Sequence, residues 1–172
     1  YGLLAGHDRR SALEKLINIK GRKANIPVAL FVPSFDDISM LGELSRPAEE
    51  MARSFLPGPM TLVLKAKKDF GPPLVVDGKI GIRYSSSEVI MALLKASEFY
   101  ATATSANISG KAQPTTIDEI AAMLGDSVAL YLNGGPLEGE VSTVIDCSDV
   151  TPRILREGAI PRFEIERFLE TL

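Results

Sequence analysis

Apolar and polar positions along the chain alternate between two rhythms, one close to 3.6 residues and one of short apolar runs. Residues 8–19 put Ala12, Leu13, Leu16 and Ile17 on one stripe with charges opposite, which predicts an amphipathic helix. Residues 26–32 form an apolar run closed by Pro33 and read as a buried strand. A second helix is expected from near Ser45 and Pro47 to the stop at Pro57-Gly58-Pro59, followed by a strand over 60–66. Residues 80–84 read as another strand. Ser85 and Glu88 then have capping-box spacing ahead of a helix burying Val89, Ile90, Leu93 and Leu94.

Residues 99–104 predict a strand that feeds the loop Ser105-Ala106-Asn107-Ile108-Ser109-Gly110. Thr116 and Glu119 form a second capping box before a helix carrying Ile120, Ala121 and Leu124. Three strands in close succession, over 128–132, 143–147 and 153–156, precede a last helix over 161–169. Strands so closely spaced do not fit a purely parallel series of strand–helix–strand units. The pattern therefore predicts an α/β fold: one three-layer domain with a mixed parallel and antiparallel sheet flanked by helices. The domain is expected to span 1–172. Because the sequence opens on Tyr1 instead of methionine, residues are expected to precede it.

Composition narrows the chemistry. A net charge of −3 argues against binding nucleic acid through bulk positive charge, while leaving room for a local basic groove. The single cysteine, Cys147, makes no intrachain disulfide and no cysteine-only metal site, so a reducing, cytoplasmic location is expected. No apolar run approaches the roughly 20 residues that cross a bilayer, and no membrane association is expected. His7 is the only histidine, which excludes histidine-rich metal centres. Phosphate-binding GxxxxGK[ST], dinucleotide-binding GxGxxG and nucleophile-elbow GxSxG motifs are all absent.

The polar residues at element ends remain. Lys20-Gly21-Arg22 follows the first helix, where basic residues and a glycine are ordinary terminators; the same pair also suits a triphosphate, lysine as a point charge and arginine as a fork. The loop at 105–110 is either an ordinary serine or asparagine turn or a ligand loop at a sheet edge. Thr61 reads as a strand residue, and Arg156 as an edge charge or an anion contact. Small hydroxyl and glycine turns, cations and no histidine base together suggest a chemistry of positioning, with phosphate held by cations and no covalent nucleophile.

Tyr1-Gly2-Leu3, Lys20-Gly21-Arg22, Pro57-Gly58-Pro59-Met60-Thr61, Gly81-Ile82-Arg83, the loop at 105–110, Ser142-Thr143-Val144 and Leu155-Arg156-Glu157-Gly158 occur in this order. The series resembles the YrdC family of L-threonylcarbamoyladenylate synthases along essentially the whole chain. The resemblance implies a twisted mixed sheet with a deep, positively charged cleft. It implies a nucleotidyltransferase reaction in which threonine, bicarbonate and ATP, with Mg²⁺ assisting, give threonylcarbamoyl-AMP and pyrophosphate. The product would pass to a transferase partner that modifies tRNA. Lys20, Arg22, Ser105 and Asn107 match the family's KxR…SxN nucleotide signature, and Arg156 matches its late phosphate-contacting arginine. Arg83 and Ser142 match threonine-binding positions, and no catalytic nucleophile, general base or side-chain metal ligand is implied.

Three departures stand out. The family threonine before Tyr1 is not in the sequence, Gln113 replaces a small serine, and Asn25 is either one place early or Ile26 replaces a polar contact. Two other readings stay open. One is the carbamoyl-transfer module of hydrogenase-maturation proteins, whose cysteine-rich zinc modules this chain lacks. The other is an RNA-binding module, for which a 6% aromatic content offers few stacking platforms.

Overall fold

A computed structural model describes residues 1–137 and 139–172. The first helix, α1 (Arg10–Lys20), turns Leu13 and Leu16 inward. Gly21 ends it in the left-handed conformation at φ 60°, where its N–H meets Asn18 O. α2 (Phe35–Leu41) is capped by Ser34, and α3 (Arg46–Phe55) by Ser45 with proline in its first turn. α4 (Glu88–Ser97), α5 (Ile117–Leu124) and α6 (Arg162–Leu169) complete the set. The expected Thr116–Glu119 capping box is present in full.

The strands are β1 (Gly2–Leu3), β2 (Ala29–Phe31), β3 (Met60–Lys65), β4 (Val75–Val76), β5 (Lys79–Arg83), β6 (Ala101–Ser105), β7 (Thr143–Asp146) and β8 (Arg153–Arg156). They form one sheet in the order β1-β6-β2-β5-β3-β7-β8, with β4 paired to β5 off that path. β2–β5 and β3–β7 are parallel and the other pairs antiparallel, so the sheet is mixed as predicted.

Alternation along the strands separates two faces. Leu30, Met60, Leu62, Leu64, Ile80, Ile82 and Ile145 point into the main core with the buried residues of α1, α2, α3, α5 and α6. Phe31 and Ala101 point the other way and meet Leu94 of α4 in a second, small cluster. Helices thus flank both faces, but the second helical layer is α4 alone. Beyond it the same face carries Thr61, Val63, Arg83 and Val144.

Several elements differ from the sequence expectation. The run 26–32 forms a strand only over Ala29–Phe31, and Ile26 is exposed. Ser85 and Glu88 make no capping box: Ser87 is the cap, its hydroxyl accepting from Ile90 N, while Ser85 Oγ accepts from Ser87 N. That shift leaves Val89 exposed and Leu94 as the buried residue of α4. The strand over 128–132 does not form. A 3₁₀ turn, Gly125–Ser127, is followed by irregular chain with Leu130 70% exposed. The next strand, β7, has β3 on one side and β8 on the other, and 128–132 joins neither outer edge of the sheet, β1 or β8.

One ion network ties the far end of the sheet. Asp146 of β7 is 5% exposed, and its Oδ2 accepts from Lys79 Nζ at 2.9 Å and from Arg153 at 3.5 Å. Its Oδ1 accepts from Ser148 N and Oγ. Burial alone would raise the carboxyl pKa, but the Ser148 and Lys79 hydrogen bonds outweigh it and hold the group at about 2, against an ordinary 3.8. A depressed folded value means that the stabilisation is complete above pH 3.8 and is lost as pH falls from there through 2. The shift corresponds to about 2 kcal/mol. Asp146→Asn is expected to lose stability of that order at pH 7 in urea unfolding, and the gap to the parent protein should close towards pH 2. A gap that persists unchanged at pH 2 would contradict this.

Candidate functional site

Two peptide segments, the end of α1 and the loop after β6, meet at one place. Lys20, the last residue of α1, is 2% exposed and sends its ammonium to Ser105 O (2.7 Å), Ser105 Oγ (3.2 Å) and Asn107 Oδ1 (2.8 Å). Ser105 Oγ in turn donates to Asn107 Oδ1 at 2.5 Å, and Asn107 Nδ2 donates to Lys111 O at 2.6 Å. The loop's amide Ser109 N donates back to Lys20 O. The three acceptors around the ammonium are all uncharged. Burial, and then the nearby Arg22, lower the Lys20 pKa to about 8. Arg22 completes the group with Nε and Nη2 buried and without a hydrogen-bond partner among the described residues.

A second cluster lies on the α4 side of the sheet. The register pairs Phe31 with Arg83 and Leu62 with Ile82, so Thr61 is one step from the pairing that sets it level with Arg83. Further along, Thr61 pairs with Val144 and Val144 with Arg156. Phe31, Arg83, Thr61, Val144 and Arg156 therefore form one row across five strands. The Arg83 guanidinium lies 5.2 Å from the Phe31 ring centroid, and its Nε is buried without a partner among the described residues. Burial, then repulsion from Arg156, lower its pKa.

Arg156 is spent on one residue: Nη2 donates to Ser142 O at 2.7 Å and to Ser142 Oγ at 3.1 Å, and Nε to Ser142 O at 3.2 Å. Ser142 Oγ also lies 2.9 Å from Thr61 Oγ1. Two turns hold these strand ends. Gly58 N donates to Tyr84 O and Thr143 N to Pro59 O, so the Pro57-Gly58-Pro59 turn joins the ends of β5 and β7. Thr143 Oγ1 accepts from Gly158 N and Ile160 N, which presses the 158–160 turn onto Ser142.

Tyr1 lies between the two clusters. Its carbonyl accepts from Ala106 N (3.2 Å) and Gln113 Nε2 (2.9 Å). Lys20, Arg22, Arg83 and Arg156 enter no ion pair among the described residues, although acidic residues outnumber basic ones in the chain as a whole. Desolvated cations without counter-charges are costly, and an anionic ligand relieves the cost.

The sequence-predicted residues thus fall into Lys20, Arg22, Ser105 and Asn107 on one side and Arg83, Ser142 and Arg156 on the other. Thr61 and Gly158 belong to the second group, and sequence reasoning missed both as site residues. Parity was the available signal for Thr61, since it alternates with core-facing Met60 and Leu62. Asn25 and Ile26 are exposed in the turn after α1, and Gln113 binds Tyr1, so these departures do not disturb the Lys20 cage. His7 packs between Phe70 and Tyr100, and its side chain bonds no serine among the described residues. No group of three or more His, Cys, Asp or Glu among the described residues is placed to hold a metal ion. No helix among them is long and apolar enough to cross a membrane.

The sequence model of the Sua5/YciO/YrdC family, described as "Telomere recombination", matches residues 1–158. The chain belongs to this family. Among Sua5/YciO/YrdC proteins it is 35% identical to the threonylcarbamoyl-AMP synthase of Pyrococcus abyssi, over 98% of this chain and 51% of that protein. It is 36% identical to the threonylcarbamoyl-AMP synthase of Bacillus subtilis, over 96% of this chain and 49% of that protein. The crystal structure of P. abyssi Sua5 complexed with L-threonine superimposes with a TM-score of 0.90 at 34% identity, covering 98% of this chain and 51% of that one. This chain spans about half the length of these relatives. Their shared sheet and helices establish the YrdC-type fold that the motif series implied.

Proposed function

We propose that the chain is a threonylcarbamoyl-AMP synthase, forming the mixed anhydride of threonine's carbamate with AMP. The observation that carries this reading is the set of four cations without carboxylate partners among the described residues, split between a serine–asparagine cage and an arginine–serine row. Such a split suits two anions of different kind in one site. The relatives named for this reaction, one of them complexed with L-threonine, support it.

In this reading Lys20, Arg22 and Arg156 hold the ATP phosphates, with Ser105 and Asn107 fixing the Lys20 ammonium. Arg83 and Ser142 hold the threonine carboxylate. Threonine's amine combines with bicarbonate to give the carbamate and water. A carbamate oxygen then attacks the α-phosphorus, the bond to the β-phosphate oxygen breaks, and pyrophosphate leaves. The protein supplies no nucleophile: the Ser105 proton is engaged by Asn107 Oδ1 and no histidine stands beside it. Its contribution is orientation and stabilisation of charge by prepaid, desolvated donors. Mg²⁺ would arrive with ATP as part of the substrate, since the donors named here are cations and neutral groups. A transferase acting on tRNA, and through it a possible contact with RNA, is the expected recipient of the product.

Arg83 gives the test for the threonine half. A guanidinium grips a carboxylate with two hydrogen bonds, which lysine does not reproduce. A charge-assisted hydrogen bond is worth about 1.5–3 kcal/mol. Arg83→Lys is therefore expected to weaken threonine binding roughly ten- to a hundredfold in calorimetry, with ATP affinity changed less than about twofold. Equal losses for both ligands would assign Arg83 to the strand instead of the substrate.

A further inference from the structure

We infer that Thr61 is a positioning residue, which turns the Ser142 hydroxyl into a hydrogen-bond donor aimed at the substrate carboxylate. The inference rests on the reading of Ser142 as a threonine-binding residue.

The argument is one of hydrogen-bond accounting. A serine hydroxyl has one proton to give and two lone pairs to fill. Arg156 is a donor only, so its 3.1 Å contact uses one lone pair of Ser142 Oγ. Thr61 Oγ1, at 2.9 Å, either takes the Ser142 proton or fills the second lone pair. Thr61 is 6% exposed, and Ser142 Oγ is its side chain's one hydrogen-bond partner among the described residues. Were Ser142 to donate, the Thr61 proton would stay buried with no acceptor, a costly state. Were Thr61 to donate, both lone pairs of Ser142 would be filled and its proton would be left over.

Without a ligand the two arrangements each leave one proton unmatched. An anion at Ser142 decides between them, because only the second leaves every hydroxyl proton with an acceptor. The place favours an anion: Arg156 and Arg83 lie in the same row, and neither has a carboxylate partner among the described residues. Thr61 is held in register by Leu62↔Ile82 on one side and by its own pairing with Val144 on the other, so its Cβ is fixed and only rotation about χ1 moves the hydroxyl. Specificity for a carboxylate at this end of the site would then depend on three strands at once: β3 through Thr61, β7 through Ser142 and β8 through Arg156.

Thr61→Val keeps the shape and removes the hydroxyl, while Thr61→Ser keeps the hydroxyl. Threonine and ATP affinities of the parent protein, Thr61→Val, Thr61→Ser, Ser142→Ala and the Thr61→Val/Ser142→Ala double variant are measured by calorimetry. Thr61→Val is expected to weaken threonine binding about tenfold and leave ATP affinity within about twofold, with Thr61→Ser restoring threonine binding. Because Thr61 acts through Ser142, the double variant should bind threonine no worse than Ser142→Ala alone. Additive losses, equal losses for ATP and threonine, or failure of Thr61→Ser to restore binding would overturn the proposal. If Ser142→Ala weakens threonine binding but Thr61→Val does not, only the role of Thr61 falls. If Ser142→Ala leaves threonine binding intact, the reading of Ser142 falls and takes the proposal with it.

Discussion

Lys20→Ala is expected to reduce synthase turnover about a hundred- to a thousandfold, the scale seen when one preorganised charge-stabilising donor is removed. The side chain ends in a set of neutral acceptors that fixes the position of its ammonium. Stability should change little, because removing a desolvated charge offsets the loss of its hydrogen bonds to Ser105 and Asn107.

Proton linkage supplies a second readout of the same residue. With a pKa of about 8 against an ordinary 10.5, the ligand-free protein disfavours the ammonium. The unfolded chain therefore binds more protons between pH 8 and 10.5, and this group's penalty on folding fades as pH rises through that window. A bound polyphosphate favours the ammonium again. At pH 9, ATP binding should take up a proton, seen as a dependence of calorimetric heat on buffer ionisation enthalpy, and ATP affinity should fall as pH rises through 8. Lys20→Ala should abolish the uptake. Buffer-independent heats in the parent protein at pH 9 would contradict the assignment of Lys20 to the phosphates.

The second large effect is expected at Gly158. A Cβ there would lie 2.2 Å from Val141 O, 2.7 Å from Ser142 C and 2.9 Å from Ser142 O, all of them backbone atoms with nowhere to swing. Gly158→Ala must push the 158–160 turn away from β7 or push Ser142 out of place. Overpacking against backbone costs about 3 kcal/mol, which lowers the melting temperature of a chain this long by roughly 6–12 °C. The Ser142 carbonyl is also what Arg156 grips. Threonine affinity should therefore fall more than tenfold even where the variant is fully folded. A Gly158→Ala protein that melts like the parent and binds threonine normally would show that the turn is free to move.

Local signals were the readable part of the fold. The stripe of α1, the Thr116–Glu119 box and the strand β8 all depend on residues a few positions apart, and each was found where its local chemistry placed it. Ser85 and Ser87 both precede α4, and only backbone geometry makes Ser87 the cap. α2 passed unnoticed behind Pro33, although Ser34 is its cap. Strand pairing was not legible at all: β6 sits between β1 and β2, and β3 runs parallel to β7 some eighty residues later. Nothing local encodes those partners, and the apparent strand at 128–132 joins neither outer edge of the sheet.

The candidate site followed the same division. Lys20, Arg22, Ser105 and Asn107 are visible as polar residues at the ends of elements, yet what makes Lys20 unusual is a contact with a loop 85 residues away. Thr61 looked like an ordinary strand threonine because its partner, Ser142, is 81 residues distant. Gly158 stands in the last motif of the series, but its constraint, a close approach to backbone from another strand, is not written in its neighbours.

The most direct test is pyrophosphate release by the full chain with ATP, Mg²⁺, bicarbonate and threonine, followed by mass spectrometry of the products. Release should require both threonine and bicarbonate and should be accompanied by threonylcarbamoyl-AMP. Release that proceeds equally without threonine, or a folded, ATP-binding protein that releases none, would contradict the proposed function.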